Sequence, residues 1–144
     1  MFPSFTAIES TDLLANFHYQ MAPMNLNQHQ AHALMEQNGA IVIDVRTREE
    51  YDEGHIAGAY LVPLDEIYHH QELNLLKAHN TPVLLYCRSG RRSGLVMHDL
   101  ARLGYKYLMN MGGVLTWEYG LTTAEPTLPF AEAVARVTPL ADKF

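Results

Sequence analysis

Apolar residues follow two rhythms along this chain. They run almost unbroken at residues 40–45, Ala-Ile-Val-Ile-Asp-Val, and at 82–87, Pro-Val-Leu-Leu-Tyr-Cys. Such short continuous runs mark strands buried on both faces. Two briefer runs, Ala59-Tyr60-Leu61-Val62 closed by Pro63 and Tyr107-Leu108-Met109, predict further short strands. Between them the spacing turns helical. Asn27 caps a helix running to residue 37, with Ala31, Leu34 and Met35 inward and Gly39 as its stop. Thr47 and Glu50 have the spacing of a capping box and open a short helix that ends near Gly54. Residues 64–77 are helical in pattern, in one or two pieces. A helix over 92–103 turns Val96, Met97, Leu100, Ala101 and Leu103 inward and Asp99 and Arg102 outward, with Gly104 as its stop. Gly112-Gly113 then leads into a short helix through Trp117.

Strands alternating with helices predict an α/β fold: a central, mainly parallel sheet with helices on both faces. Residues 1–22 and 123–144 differ from the middle and form extensions around a domain at 23–122. In the first, Leu13, Leu14, Phe17 and Met21 follow Thr11-Asp12 at near-helical spacing and predict a short amphipathic helix. In the second, residues 130–137 predict one helix between proline breaks.

The 144 residues suit one domain, and the single cysteine excludes both an intrachain disulfide and a zinc site built from several thiolates. A net charge of −6 argues against general affinity for nucleic acid. The first ten residues lack the pattern of a signal peptide, and no apolar run is long enough to cross a bilayer. A cytoplasmic, reducing location is the expectation, one that keeps a lone thiol usable.

That thiol is the main chemical signal. Cys87 ends the second long apolar run and is followed by Arg88-Ser89-Gly90-Arg91-Arg92-Ser93 and a helical pattern. The attacking species is the thiolate, while a free cysteine with a pKa of about 8.5 is mostly protonated at neutral pH. A loop feeding a helix aims unpaired N–H groups and partial positive charge at one point. Gly90 lets the backbone turn those groups inward. Arg88, Arg91 and Arg92 favour the thiolate and offer forked donors to an incoming anion. Three arginines in five residues predict an exposed loop at the C-terminal edge of the sheet, where open α/β sheets bind ligands.

Several segments together resemble the rhodanese homology domain in its single-domain form. They are Asp44-Val45-Arg46 with Glu49-Glu50-Tyr51, Gly54-His55-Ile56-Ala57-Gly58-Ala59, the loop from Cys87 to Ser93, and Gly112-Gly113-Val114 with Trp117. The resemblance covers about residues 24–122. It implies a sulfurtransferase in which Cys87 carries the sulfur as a persulfide and Arg88, Ser89, Gly90, Arg91 and Arg92 cradle the substrate, without cofactor or metal. The donor is then a small sulfur anion such as thiosulfate, and the acceptor is cyanide or a thiol, either small or carried by a protein. Arg91 and Arg92 are expected to hold the sulfonate, with Arg88 as a helper. Phosphatases and arsenate reductases of the same fold use a loop one residue longer. Here Arg92 is the fifth residue after Cys87, which resembles the shorter loop. The alternatives are such a phosphatase or reductase, and a non-catalytic binding module.

Other candidates have structural readings. Asp44 and Arg46 form an ion pair at a strand end, His55 lies in a turn, and His69, His70 and His79 are polar surface residues rather than metal ligands. Trp117 and Tyr119 belong to core and rim. Ser89 and Ser93 either donate to the sulfur or cap the following helix.

Overall fold

In the computed structural model, which describes residues 23–138, the two long apolar runs lie side by side at the centre of a five-stranded sheet. The strands are β1 (Met24–Asn25), β2 (Ile41–Asp44), β3 (Tyr60–Leu61), β4 (Val83–Cys87) and β5 (Leu108–Gly113). Their order is β1-β5-β4-β2-β3, and every pairing within the sheet is parallel. All nine residues of β2 and β4 are buried. Their side chains alternate between two cores. Ile41, Ile43, Val83, Leu85 and Cys87 join Val96, Leu100 and Leu108 on one face, while Val42, Leu84 and Tyr86 join Ala31, Leu34, Ile56 and Met109 on the other. Helices on both faces thus remove the need for a polar side to either strand.

Among the described residues five α-helices accompany the sheet: α1 (Gln28–Glu36), α2 (Arg48–Glu53), α3 (Asn74–Ala78), α4 (Arg91–Arg102) and α5 (Phe130–Arg136). Asn27 and Thr47 cap the first two, each in a full capping box closed by Gln30 and Glu50. The described part of the C-terminal segment packs on the domain. Phe130, Val134 and Val137 enter the first core, and Phe130 meets Tyr60 edge to face at 5.2 Å. The helix predicted around residues 11–21 lies outside the described residues. Among the described residues no helix is long and apolar enough to cross a membrane.

The structure corrects four sequence expectations. Residues 64–77 hold two 3-10 turns, Leu64–Glu66 and Gln71–Leu73, before the short α3. The buried anchors Ile67, Leu73 and Leu76 explain this, because residues six apart would face different sides of one helix. α1 stops at Glu36, and the left-handed residue after it is Asn38 (φ 53°) rather than Gly39. Leu103 is 43% exposed because α4 ends at Arg102 and the chain turns away at Gly104 (φ 92°). Finally, β5 continues through Asn110 to Gly113, with a shift in register against β4: Leu85 pairs with Asn110, but Cys87 pairs with Gly113. Gly112 absorbs the extra residue at φ 88°. This bulge places Asn110 and Gly113 against the loop that follows Cys87.

Candidate active site

The loop after β4 is held by its carbonyls. The Arg88 carbonyl accepts from the Leu115 N–H at 3.2 Å, and the Gly90 carbonyl accepts from Gly94 N–H and Asn110 Nδ2, each at 3.0 Å. Gly90 sits at φ 103°, in the left-handed region that favours glycine. A Cβ on Gly113 would overlap the Arg88 carbonyl, so the floor of the loop has no room for a side chain. With carbonyls tied outward, N–H groups face the sulfur. Gly90 N–H donates to Cys87 Sγ at 3.0 Å, and Ser93 Oγ lies 3.5 Å from the same atom.

These contacts settle a competition of charges. Burial pushes the Cys87 thiol up, but the Ser93 hydroxyl and the backbone N–H groups of Ser93, Gly90 and Ser89 together outweigh it. The thiol therefore lies below its ordinary range. Its folded value being depressed, the thiolate is favoured at pH values where a free cysteine stays protonated. Cys87 itself is only 1% exposed, whereas Arg88, Ser89 and Arg91 are exposed above it. The sequence placed the loop correctly at the sheet edge. The sulfur lies one layer deeper, among polar donors on its loop side and the α4-face core on the other.

The three arginines separate by role. Arg88 and Arg91 have no charged or hydrogen-bonding side-chain partner among the described residues. Arg92 is engaged: its Nη1 and Nη2 fork onto the two oxygens of Glu50 at 2.7 and 2.9 Å. Arg92 still feels the negative charge of Cys87, and so contributes positive potential to the site. Its fork is not free to receive an anion in this arrangement.

Glu50 closes both the capping box and this ion pair. The Arg92 hydrogen bond is the main reason that its carboxyl is pushed down to about 2. Because the folded value is depressed, the stabilisation is present above the ordinary value of 4.5 and is lost as pH falls from there towards about 2. In acid melts, wild type is expected to lose stability across that window. Glu50→Gln, which preserves the cap but cannot titrate, is expected to show a shallower loss. Equal slopes would mean that Glu50 does not report on this pair.

The remaining candidates fall outside the loop. Asp44 and Arg46 are buried at 0% and 5% exposure and form a pair, with Nη2 2.7 Å from Oδ2 and Nη2 also donating to the Gly54 carbonyl. His55 is buried and stacks on Tyr51, with its two ring nitrogens 2.8 Å from the carbonyls of Tyr51 and Ala124. It is committed to the fold rather than to Cys87. His69 and His79 are exposed. Among the described residues no group of three or more metal-type side chains converges. Trp117 packs against the second core, and Tyr119, 43% exposed, stacks on His32 at 3.7 Å.

Two residues were missed as parts of the site. Glu50 carries only a capping signal in the sequence, since its pairing with Arg92 spans 42 positions and leaves no local trace. Asn110 accepts from Ser93 Oγ at 2.8 Å and from Gly112 N–H at 3.0 Å while donating to Gly90. Its signal was available: a lone amide inside Leu-Met-Asn-Met, where an apolar residue would be expected.

Comparison with known proteins gives this geometry a context. The family model described as "Rhodanese-like domain" matches residues 27–119. The thiosulfate sulfurtransferase PspE of Escherichia coli is 36% identical over 72 residues, 50% of this chain and 68% of that protein. The thiosulfate sulfurtransferase GlpE of Coxiella burnetii is 32% identical over 90 residues, 62% of this chain and 81% of that protein. Other curated relatives, from Synechocystis and Bacillus subtilis, are matched over only 55%, 40% and 60% of their length. Among solved structures, a rhodanese-like domain protein from Staphylococcus aureus superposes with a TM-score of 0.61 at 28% identity, covering 71% of this chain and 99% of that one.

Proposed function

Because this chain belongs to the rhodanese-like domain family, we propose that it is a sulfurtransferase in which Cys87 moves a sulfane sulfur from thiosulfate or a similar anion to a thiophilic acceptor. The observation that carries this reading is the convergence of donors on one sulfur: Gly90 N–H at 3.0 Å and the Ser93 hydroxyl at 3.5 Å, with the N–H groups of Ser93 and Ser89 also favouring its thiolate. In the first half-reaction the Cys87 thiolate attacks the outer sulfur of the donor. A bond forms between Sγ and that sulfur, the donor's sulfur–sulfur bond breaks, and its electron pair leaves with sulfite. In the second, the acceptor attacks the outer sulfur of the persulfide and the electron pair of the breaking bond returns to Sγ. The N–H ring stabilises the charge that collects there, as an oxyanion hole does for oxygen.

Arg91 and Arg88, exposed and unpaired among the described residues, are the groups ready to meet the sulfonate end, while Arg92 braces the loop through Glu50. The sulfur lies beneath its loop, which suits delivery of a single atom better than engagement of a bulky group. A tetrahedral phosphoryl group needs the closing arginine as a fork, and here that fork is occupied by a carboxylate. That observation disfavours the phosphatase reading. The presence of the thiol in a thiolate-favouring setting disfavours a purely binding role. A reducing compartment such as the cytoplasm suits this chemistry.

Parallel assays separate the readings. Thiosulfate with cyanide is expected to yield thiocyanate with ping-pong kinetics, while an aryl phosphate is left intact. Arg91→Ala is expected to raise KM for thiosulfate several-fold and to change kcat little, as loss of ground-state and transition-state binding alike requires. Phosphate hydrolysis without sulfur transfer would overturn the proposal.

A further inference from the structure

Resting on that reading of Cys87, we infer that Asn110 is a positioning residue: it anchors Ser93 and Gly90 so that their donors stay on Sγ, and it serves as the alternate acceptor for the single Ser93 hydroxyl proton when Sγ is uncharged. One side-chain amide makes three bonds here. Oδ1 accepts from Ser93 Oγ at 2.8 Å and from Gly112 N–H at 3.0 Å, and Nδ2 donates to the Gly90 carbonyl at 3.0 Å. The amide has one workable orientation. Flipped, its NH2 group would face the Gly112 N–H, and its oxygen would face the Gly90 carbonyl. Asn110 thus joins β5, the start of α4 and the loop itself.

Ser93 has two acceptors and one proton. Its hydroxyl lies 2.8 Å from Asn110 Oδ1 and 3.5 Å from Cys87 Sγ, and one O–H cannot serve both fully. Ser93 is 0% exposed, so bulk water is not a third choice. The charge on sulfur therefore decides. In the persulfide the negative charge sits on the outer sulfur, Sγ is neutral, and the Ser93 proton stays with Asn110. When the acceptor takes the outer sulfur, the electron pair of the broken bond moves to Sγ. The hydroxyl then turns to donate to Sγ without giving up its proton. A bond made as charge develops favours the transition state over the ground state, which is the requirement for a rate effect. Without this anchor the hydroxyl would rest on Sγ in every state, so the bond would no longer form selectively as charge develops, and Gly90 would lose a tie on its carbonyl.

The test combines a thiol titration with single-turnover discharge. Cys87 is the only cysteine, so thiolate absorbance, referenced to Cys87→Ser, reports one group. Asn110→Asp keeps the shape, holds the Ser93 proton more strongly and cannot donate to Gly90. It is expected to raise the titration midpoint and to slow discharge of the loaded persulfide to cyanide by roughly tenfold, the size of one hydrogen bond to a charged atom. Ser93→Ala is expected to slow discharge similarly. The double variant is expected to be no slower than the worse single one within about twofold, because both changes remove the same bond. A merely structural role would shift melting without moving the midpoint. If Asn110→Asp is recovered unfolded, Asn110→Ala is subjected to the same titration; it releases the Ser93 proton to Sγ and is expected to lower the midpoint. An unchanged midpoint in the folded variant, or single effects that multiply, would overturn the inference. Failure of the wild type to load sulfur would instead overturn the sulfur-transfer reading, with the titration still deciding the role of Asn110.

Discussion

Cys87→Ser is expected to reduce thiosulfate-dependent sulfur transfer by about a thousandfold or more while leaving the fold in place. A serine hydroxyl in the same ring accepts the same N–H donors, but it does not ionise near neutral pH and cannot form a stable bond to a sulfane sulfur. The donors that lower the Cys87 thiol, from Ser93, Gly90 and Ser89, are backbone or neighbouring groups that the substitution does not touch. Thermal melts of the variant are expected to stay within a few degrees of wild type, since volume and burial barely change. Loss of activity with an intact melt assigns the chemistry to this sulfur. Substantial residual transfer in a folded Cys87→Ser protein would remove Cys87 from the mechanism.

The second large effect is on stability. Arg46→Ala is expected to cost about 3–5 kcal/mol, the usual penalty for leaving a buried charge without its partner. For a domain of this size that corresponds to a fall in Tm of roughly 10–20 °C. Asp44 is fully buried and keeps the Arg46 backbone N–H at 2.9 Å and the neutral Tyr86 hydroxyl, but no charged partner, once the guanidinium is gone. The same substitution frees the Gly54 carbonyl at the end of α2. Asp44 pairs in register with Tyr86, the residue before Cys87, so the pair frames the sheet edge on which the site is built. Arg46→Lys is expected to recover part of the loss at most, because an ammonium cannot reproduce the donors from Nε and Nη2. Chemical denaturation measures both variants. A loss below about 1 kcal/mol for Arg46→Ala would show that Asp44 finds another partner.

The reach of the sequence can be judged residue by residue. β2 and β4 were legible because double-sided burial leaves an unbroken apolar run, and α1, α2 and α4 because caps and periodicity agree. The loop after β4 was legible for a chemical reason: Cys87, Gly90 and three arginines fall within six consecutive positions. What escaped depends on contacts between distant elements. The register shift that carries β5 past Asn110 follows from the left-handed turn at Gly112 and the fit of Gly113 against the Arg88 carbonyl. The division of labour among Arg88, Arg91 and Arg92 depends on where Glu50 arrives from α2. The breaks within residues 64–77 arise because three buried anchors must reach one core.

Intact mass measurement after incubation of the reduced protein with thiosulfate tests the central claim most directly. The account predicts a gain of one sulfur atom, located on the peptide containing Cys87, absent from Cys87→Ser, and removed by cyanide with release of one thiocyanate. Thiocyanate production without any sulfur appearing on Cys87, or the same gain in Cys87→Ser, would contradict it.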